Sequence, residues 1–384
     1  MNLTKINQEQ IVRENTSIRE FHLPDLPDTL FILFKTEVND LFFKKMYSIF
    51  GTQKEFSKFL GRYRQDVNKY HRQIDRDKGR YYPVYFSLKL FKKCIPLLDK
   101  SFINYLEQNI SEIRARVGLS IYNPKLPIKE SEEIYRITAH VIADGSAGKE
   151  KTPYYANTCK VLRDQFKQDL SILGKMKISE TIPNTTEIVY FPKVVTDVLA
   201  HIFDVKFTYP NRIPKSIFNT KRKFKQVFLQ ALFDDEGTIS THLAVGIHNL
   251  NIMNEIKSLI NSLGIETSKI MIHLIPNKTD KIYLQIPTSE YLLFQQEIGF
   301  AHPDKIQKLE LAIRTRNRKQ RTRNPDIIEH QILKILDEKP SPTIDLANGL
   351  LFTITGIKPH LHRMHKEGII VRKGYKNKII WDIT

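Results

Sequence analysis

The nine residues ITAHVIADG at positions 137–145 and the nine residues LQALFDDEG at positions 229–237 decide the fold of this 384-residue chain. Each stretch is predicted to be the end of a helix, closed by one acid and one glycine, that leads into a strand. Strand-like runs, a helical stretch, two more strand-like runs and another helix follow both of them. The sequence therefore predicts one αββαββ plan, written twice.

Small residues in these two stretches favour close helix packing. Ala139 and Ala143 in the first copy, and Ala231 in the second, would let two helix backbones approach closely. The glycines Gly145 and Gly237 suit a helix end at which the chain must turn sharply. We expect the two helices to cross at these small side chains.

The acids before the glycines are the candidate metal ligands. Asp144 and Glu236 would lie side by side at the end of such a helix pair. Two carboxylates placed there repel one another and meet the unfavourable end of the helix dipole. A divalent cation relieves both problems, and Mg²⁺ or Mn²⁺ shared with a phosphate backbone is the expected cofactor.

Composition points to a polyanionic partner. Lysine and arginine total 60 against 42 acidic residues, which gives a formal net charge of +18. Cys94 and Cys159 are too few for a disulfide framework or a cysteine zinc site, so we expect a reducing compartment. Neither a membrane-spanning apolar run nor a secretory signal is visible. We expect an intracellular, cytoplasmic monomer, associated with the nucleoid if the host is prokaryotic.

The paired motifs resemble those of the LAGLIDADG (DOD-type) homing endonucleases, in their freestanding single-chain form with two motifs. The resemblance covers roughly residues 126–313 and extends to FPKVVTDVLAHIFDV, RIPKSIF and IGFAHPDKIQKL. The chain departs from the family pattern at Ile142 and His140, where the family prefers an acid and an apolar residue. It departs again at Asp235, where a small residue is usual.

The resemblance implies an α+β fold, a pseudo-symmetric double αββαββα domain whose two antiparallel sheets form a saddle over double-stranded DNA. It implies that Asp144 and Glu236 bind the divalent metal and cut both strands. It also implies an assisting basic residue in each half. Lys305 is the candidate in the second half and Lys215 in the first; phosphate contact or a solvated surface is the alternative for both.

Residues 52–70, TQKEFSKFLGRYRQDVNKY, predict a helix-turn-helix. Thr52 would cap the first helix, Phe56, Phe59 and Leu60 would point inward, and Gly61 would take a positive φ in the turn. A plain helical hairpin with a solvated polar face is the alternative. The side chains predicted to reach DNA are Arg62, Arg64, Gln65, Asn68 and Lys69.

The last 60 residues predict three helices followed by two strands, which is the order of a winged helix. A protein-contact module is the alternative, and Trp381 is interpreted as a core residue. The predicted phosphate contacts are Arg363, Lys366, Arg372, Lys373 and Lys376.

The predicted organisation is an unassigned segment, a helix-turn-helix domain, a double endonuclease domain, a basic linker and a winged helix. Their ranges are 1–37, 38–118, 126–313 (halves about 126–215 and 216–313), 314–324 and 325–384. The predicted function is site-specific, divalent-metal-dependent cleavage of double-stranded DNA. A catalytically silent transcriptional regulator is the main alternative. An intron RNA splicing factor is a third, with which the basic run at residues 314–323 is compatible.

Overall fold

A computed structural model shows a chain of mixed helix and sheet, an α+β fold. It describes residues 18–77, 80–148, 152–182, 187–208, 210–273, 281–316, 325–350, 352–374 and 379–384. The chain forms two compact units, Met1–Phe228 and Leu229–Thr384. The boundary between the two units falls inside one helix, Arg222–Glu236.

The first unit begins with an N-terminal region of five helices and eight short strands. The helices are α1 Thr36–Phe50, α2 Gln53–Leu60, α3 Arg64–Arg72, α4 Leu88–Cys94 and α5 Lys100–Gln108. The strands are β1 Glu20–Phe21, β2 Phe31–Phe34, β3 Ile74–Asp77, β4 Arg80–Pro83, β5 Phe86–Ser87, β6 Ile110–Arg114, β7 Ser120–Tyr122 and β8 Ile128–Lys129. Phenylalanine rings from β2, α1, β5 and α4 pack together as its core.

The first copy of the repeated plan follows directly on β8. Its elements are α6 Glu132–Ala143, β9 Gly145–Ser146, β10 Tyr154–Ala156, α7 Lys160–Leu170, β11 Lys175–Met176, β12 Ser179–Thr181, β13 Ile188–Tyr190 and α8 Lys193–Phe203. A four-residue helix, α9 Lys215–Phe218, comes next. Four of the strands form an antiparallel sheet of order β12-β13-β10-β9.

The second copy repeats this topology. Its elements are α10 Arg222–Glu236, β14 Gly237–Ile239, β15 Leu243–Ile247, α11 Leu250–Asn261, β16 Met271–His273, β17 Lys281–Ile286, α12 Tyr291–Glu297 and α13 Pro303–Arg316. The sheet order is β14-β15-β17-β16. In both copies the first strand lies at one edge, the third at the other, and the second pairs with the fourth. Apart from β11, which pairs with β7 outside this sheet, each copy thus runs helix, two strands, helix, two strands, helix.

The C-terminal region contains three helices and a three-stranded antiparallel sheet of order β18-β20-β19. Its elements are α14 Pro325–Glu338, β18 Ser341–Pro342, α15 Thr343–Leu350, α16 Ile354–Lys366, β19 Ile370–Lys373 and β20 Ile380–Ile383. Trp381 is buried in its core, which confirms the interpretation of that residue, and Leu311 of α13 belongs to the same core cluster.

Sheet pairing in the first unit crosses the boundaries expected from the sequence. One five-stranded sheet has the order β11-β7-β6-β2-β5 and so joins residues 31–34, the connector near residue 121 and the first copy. A second pairing joins β1 to β8. The segment 18–37, which carries no sequence assignment, therefore contributes two strands. Its FILF run alternates half-buried and buried side chains, as a strand on a core does.

Candidate active site and nucleic-acid interface

The first motif ends at Asp144, which is the C-terminal cap of α6. Its backbone N–H donates to the carbonyl of His140 at 3.0 Å, and its own carbonyl accepts from the N–H of Ala156 at 3.2 Å. The residue is half-buried. A Cβ on Gly145 would lie 2.5 Å from Cα and 2.7 Å from the carbonyl oxygen of Val141, so the chain can fold back against the last helical turn only with glycine here.

The second motif ends in the same way. Glu236 is the last residue of α10 and is half-buried. A Cβ on Gly237 would lie even closer to the carbonyl oxygen of Phe233. Phe233 precedes Gly237 by four residues, just as Val141 precedes Gly145. Neither Gly145 nor Gly237 has a positive φ. Both glycines are therefore required by close backbone contact rather than by a left-handed turn.

Lys305 lies at the end of α10. Its ammonium donates to the carbonyls of Phe233 at 3.0 Å and Asp234 at 2.5 Å, so it neutralises the negative end of the motif helix. Glu236 follows two residues after the second of these carbonyls. The structure thus brings this predicted basic residue to the motif that carries one of the two candidate metal acids.

Asp234 makes a second contact between the same two helix ends. Its side chain is 2% exposed and accepts hydrogen bonds from the backbone N–H groups of Ala301 and His302, each at 3.0 Å, just before α13 begins. The ends of α10 and α13 therefore hold one another. Sequence reasoning missed Asp234, although three successive acids at positions 234–236 were a usable signal. Ile142 occupies the matching place in the first motif.

Burial also affects His302 beside this contact. Removal from water lowers the pKa of His302, and the positive charge of Lys305 acts in the same direction. The imidazole at the start of α13 is therefore held in its neutral form at a lower pH than a solvated histidine would be.

The other predicted motif residues fall at different depths. Ala139 and Ala231 are buried, whereas Ala143 is half-buried. Lys215 is exposed at the first residue of α9. Near their N-terminal ends the two motif helices meet directly: the rings of Tyr135 in α6 and Phe224 in α10 stack with centroids 4.7 Å apart and planes at 10°.

A buried polar network anchors the start of α6. The Tyr135 hydroxyl donates to Glu130 Oε1 at 2.5 Å and lies 2.7 Å from Thr220 Oγ1, while Arg19 Nη2 donates to Glu130 at 2.7 Å. Burial alone would raise the pKa of Glu130, but the hydrogen bonds from Arg19 and Tyr135 outweigh it and lower that pKa. The network joins Glu130, which lies between β8 and α6, to Thr220, which precedes α10.

The donor chemistry of the two acids suits a hard divalent cation. Within the described residues no group of three or more His, Cys, Asp or Glu side chains could enclose a metal ion. Asp144 and Glu236 each present carboxylate oxygens from a half-buried position. Mg²⁺ is commonly held in this way, through one or two carboxylates together with water and substrate phosphates. Each acid is therefore chemically suited to such a set of ligands.

The α2–α3 pair forms the second candidate surface. Thr52 caps α2 by accepting from the N–H of Glu55, Gly61 lies in the left-handed region at φ 67°, and Phe56 and Leu60 are buried, as expected. Phe59 is not: its side chain is 38% exposed and packs on Phe50 at the edge of the helix pair, so the expectation that it points inward was wrong.

Most of the predicted DNA-contacting side chains on this pair face solvent. Arg62, Arg64, Gln65 and Lys69 are exposed and Asn68 is half-buried. Arg64 Nε donates to Gln53 Oε1 at 3.2 Å, and Lys69 pairs with Asp75 at 2.9 Å. The β3–β4 hairpin follows α3 immediately, and sequence reasoning missed it. The run IDRDKGRYYP, with a Lys-Gly pair at the centre of its sequence, was the available signal.

The C-terminal surface is more extensively ion-paired. Arg363 binds Glu329 of α14 at 2.5 Å, and Lys373 binds Asp382 on the neighbouring strand at 2.6 Å. Lys366 and Arg372 are exposed. Lys376 and most of the basic run at residues 314–323 lie outside the described residues. No helix in the described part of the chain is long and apolar enough to cross a membrane.

Comparisons with known proteins give partial and weak similarities. No family model matches the chain. It is 26% identical over 215 residues to the glutamine–fructose-6-phosphate aminotransferase (isomerizing) of Methanocaldococcus jannaschii, a match that covers 53% of this chain and 19% of that protein. It is 25% identical over 160 residues to a DNA polymerase of Thermococcus aggregans, with 39% and 8% covered. The chain thus spans a fifth or less of each relative.

Solved structures that match part of the chain include homing endonucleases. I-DmoI in complex with DNA and Mn matches with a TM-score of 0.34 and 15% identity over 44% of this chain and 96% of that one. I-WcaI bound to its DNA recognition sequence matches with 0.33 and 14% over 46% and 86%. Full-length DUF199/WhiA from Thermatoga maritima matches with 0.36 and 14% over 62% and 90%. At this level the similarities assign the chain neither to a family nor to an activity.

Proposed function

We propose that this chain is a site-specific endonuclease that cuts double-stranded DNA with Mg²⁺ or Mn²⁺ held by Asp144 and Glu236. One observation carries the proposal. Two motif helices end with an acid and a glycine, and each glycine presses on the backbone of the residue four positions earlier. Both endings lead into sheets of the same strand order. The same acid position in two copies of one fold, on a chain with a net charge of +18, suits the cleavage of one phosphodiester bond in each strand of a duplex.

The proposed roles follow from where each side chain lies. A bound divalent ion supplies charge neutralisation at the scissile phosphate and a water of lowered pKa. Asp144 and Glu236 supply its carboxylate ligands. Lys305 holds the end of α10 through two carbonyls and adds positive charge near Glu236, where negative charge accumulates during phosphodiester cleavage. Asp234 fixes α13, which carries Lys305, against the same helix end.

The proposal assigns DNA binding to the flanking regions. The α2–α3 pair would act as a helix-turn-helix, with Arg62, Arg64 and Gln65 outward. The C-terminal region would act as a winged helix, since its three helices are followed by the β19–β20 pair, to which the short strand β18 from between α14 and α15 adds. Lys366 and Arg372 are the exposed cations there, and Lys215 is an exposed cation of the first half.

A DNA-binding regulator that does not cut is the second candidate. The observation that favours it is the asymmetry between the motifs: Asp234 braces the second acid, whereas Ile142 stands at the matching place in the first. Under this alternative both flanking regions bind DNA and the central acids are silent. RNA binding would rest on the basic run at residues 314–323, most of which lies outside the described residues.

Cleavage tests the first candidate directly. The full chain is incubated with host genomic DNA and Mg²⁺, and new ends are mapped by sequencing beside Asp144→Asn, Glu236→Gln and a matched control, Asp235→Asn. We expect reproducible staggered cuts from the wild type and the control, and none from the other two variants. Salt-sensitive DNA binding without cuts, equal in all four proteins, would establish the regulator instead. Cuts that persist in Asp144→Asn or Glu236→Gln would show that the substituted acid is not a required metal ligand.

A further inference from the structure

Tyr63 is the most exposed large apolar side chain in the described part of the chain, at 83%. It lies in the turn between α2 and α3, directly before the first residue of α3. Its backbone is extended, and its carbonyl accepts hydrogen bonds from the N–H groups of Asp66 and Val67. The backbone at this position therefore starts the helix, while the ring projects into solvent.

The Tyr63 ring contributes little to the packing of the fold, because it is 83% exposed. Tyr63 occupies the N-cap position of α3, where Ser, Thr, Asp or Asn would accept a hydrogen bond from the helix, and its side chain makes no such bond. One helix earlier, Thr52 performs that function for α2. Across the described residues the Tyr63 side chain has neither a hydrogen bond nor a ring contact. Tyrosine at position 63 therefore lacks the capping bond that a smaller polar residue would make and adds little packing to the fold in return.

The surroundings of Tyr63 indicate the chemistry of what would cover it. Arg62 and Arg64 flank it and are exposed, and Gln65 is exposed in the next position. An exposed tyrosine with an arginine on either side in sequence, at the start of a helix, complements a polyanion that also presents apolar surface. Duplex DNA offers both, as phosphates along its backbone and as deoxyribose and thymine methyl groups within reach of the groove.

We propose that Tyr63 is a DNA-contact residue whose ring packs against sugar and base edges of the duplex, while the neighbouring arginines contact phosphates. This inference rests on the proposed DNA binding of the α2–α3 pair and adds to it an uncharged contact. An uncharged ring displaces no counterions, whereas each arginine on a phosphate does. Loss of the ring should therefore weaken binding without changing its dependence on salt.

The experiment uses the full chain and a pool of duplexes with a randomised centre, enriched by repeated selection with the wild-type protein. Binding to the enriched pool is measured by fluorescence anisotropy in EDTA, at several salt concentrations. The variants are Tyr63→Thr, Tyr63→Phe and Arg62→Gln. Tyr122→Thr is the matched control, because it replaces an exposed tyrosine on β7 with a good strand former.

We expect Tyr63→Thr to bind about tenfold more weakly with an unchanged salt slope, on the scale of one aromatic contact to a nucleotide. Its melting temperature should be equal to or above that of the wild type, because threonine restores a cap. Tyr63→Phe and Tyr122→Thr should bind within about twofold of the wild type, and Arg62→Gln should reduce the salt slope by about 1.

The outcomes separate this inference from the proposed function. Wild-type affinity in Tyr63→Thr, with normal binding by the wild-type chain, would overturn the inference and leave DNA binding in place. An equal loss in Tyr63→Phe would also overturn it, because the contact would then be made by the hydroxyl rather than the ring. A pool that never enriches would instead overturn the proposed function itself.

Discussion

At the residue scale, glycine is required at the end of both motifs for a steric reason. Gly145 and Gly237 both have φ values that any residue could adopt, yet each lies against the backbone of the residue four positions before it. Strand and helix can approach this closely only when no side chain intervenes. The acid before each glycine is therefore held close to the last helical turn.

Alanine at either glycine tests that requirement. Gly145→Ala and Gly237→Ala should each lower the free energy of unfolding by about 1–3 kcal/mol, because the new methyl group meets backbone atoms that cannot move away. Gly349→Ala is the matched control: in α15 a Cβ would meet only the end of the Ile335 side chain, at 3.1 Å. Chemical denaturation measures all three. Equal stability in the motif variants and the control would contradict the steric argument.

His302 gives a prediction for the dependence of stability on pH. Because burial lowers its pKa in the folded protein, the unfolded chain binds a proton near pH 6.5 that the folded chain does not. Stability is then fully present above pH 6.5 and decreases as the pH falls through that value towards the lower folded pKa. His302→Gln should flatten this decrease between about pH 7.5 and 5.5, whereas His242→Gln, at an exposed site, should not. Parallel denaturation curves would contradict it.

Some site residues could be found from the sequence and others could not. Asp144, Glu236 and the glycines stand out because spacing and repetition are local properties of a chain. Asp234 did not, since its function depends on the backbone of Ala301 and His302, far along the chain. The inward direction assigned to Phe59 was wrong for a related reason: the helix is short, and the ring of Phe59 packs on Phe50 and Phe56 while it stays exposed on its other side.

At the scale of elements, each motif helix has a buried alanine, and a stacked aromatic pair lies near the N-terminal ends of the two helices. Ala139 and Ala231 are both almost inaccessible, and the stacked rings are those of Tyr135 and Phe224. The hydroxyl of Tyr135 adds a buried hydrogen-bond network at that end. Apolar packing and polar anchoring therefore act at different heights along α6.

Leucine in place of the buried alanines should overpack these helices. We expect Ala139→Leu and Ala231→Leu each to lower stability by roughly 1–3 kcal/mol, because three extra carbon atoms must enter filled space. Ala143→Leu should have a smaller effect, since Ala143 is only half-buried. Thermal and chemical denaturation provide the measurement. If Ala139→Leu or Ala231→Leu proved as stable as Ala143→Leu, the substituted alanine would lie outside tight packing.

Elements were predictable where their pattern is local. The motif helices, the repeated strand pairs and the three C-terminal helices with their last two strands follow from periodicity, and the structure contains them. The strand β18 between α14 and α15 was not predicted, because its two residues are too few to show an alternating pattern. The five-stranded sheet of the N-terminal region was not predicted, because β2 pairs with β6 and β7 with β11 across long stretches of sequence. No short-range pattern in FILF or SIY indicates those partners.

At the scale of the whole molecule, positive charge is unevenly distributed along the chain. Of the net charge of +18, residues 38–118 carry +9 and the run at residues 314–323 carries +6, whereas residues 1–37 carry a net charge of −2. Some of the chain's cations, such as Arg363 and Lys373, are already paired with acids. Lys45 and Lys58 of the N-terminal region are paired with acids as well, so exposed cations such as Arg62 are the better candidates to replace the counterions of DNA.

Salt should therefore control DNA binding strongly. Between about 50 and 200 mM salt we expect affinity for duplex DNA to fall on the order of 10³-fold, as for a protein that makes about six phosphate contacts. Anisotropy titrations of the full chain measure this, with single-stranded DNA of the same sequence for comparison. An affinity that hardly changes over this range would mean that phosphate contacts are few.

The strand pairings of the first unit also limit how such a chain could be rearranged by recombination. A breakpoint in the connector near residue 119 would separate β6 from β7, β1 from β8, and Arg19 from Glu130. Exchange of the N-terminal region between relatives at that point would require strands from two different parents to pair with one another, and would leave Glu130 without Arg19 wherever the other parent lacks that arginine. We expect chimeras that inherit residues 18–203 from one parent to keep the fold most often.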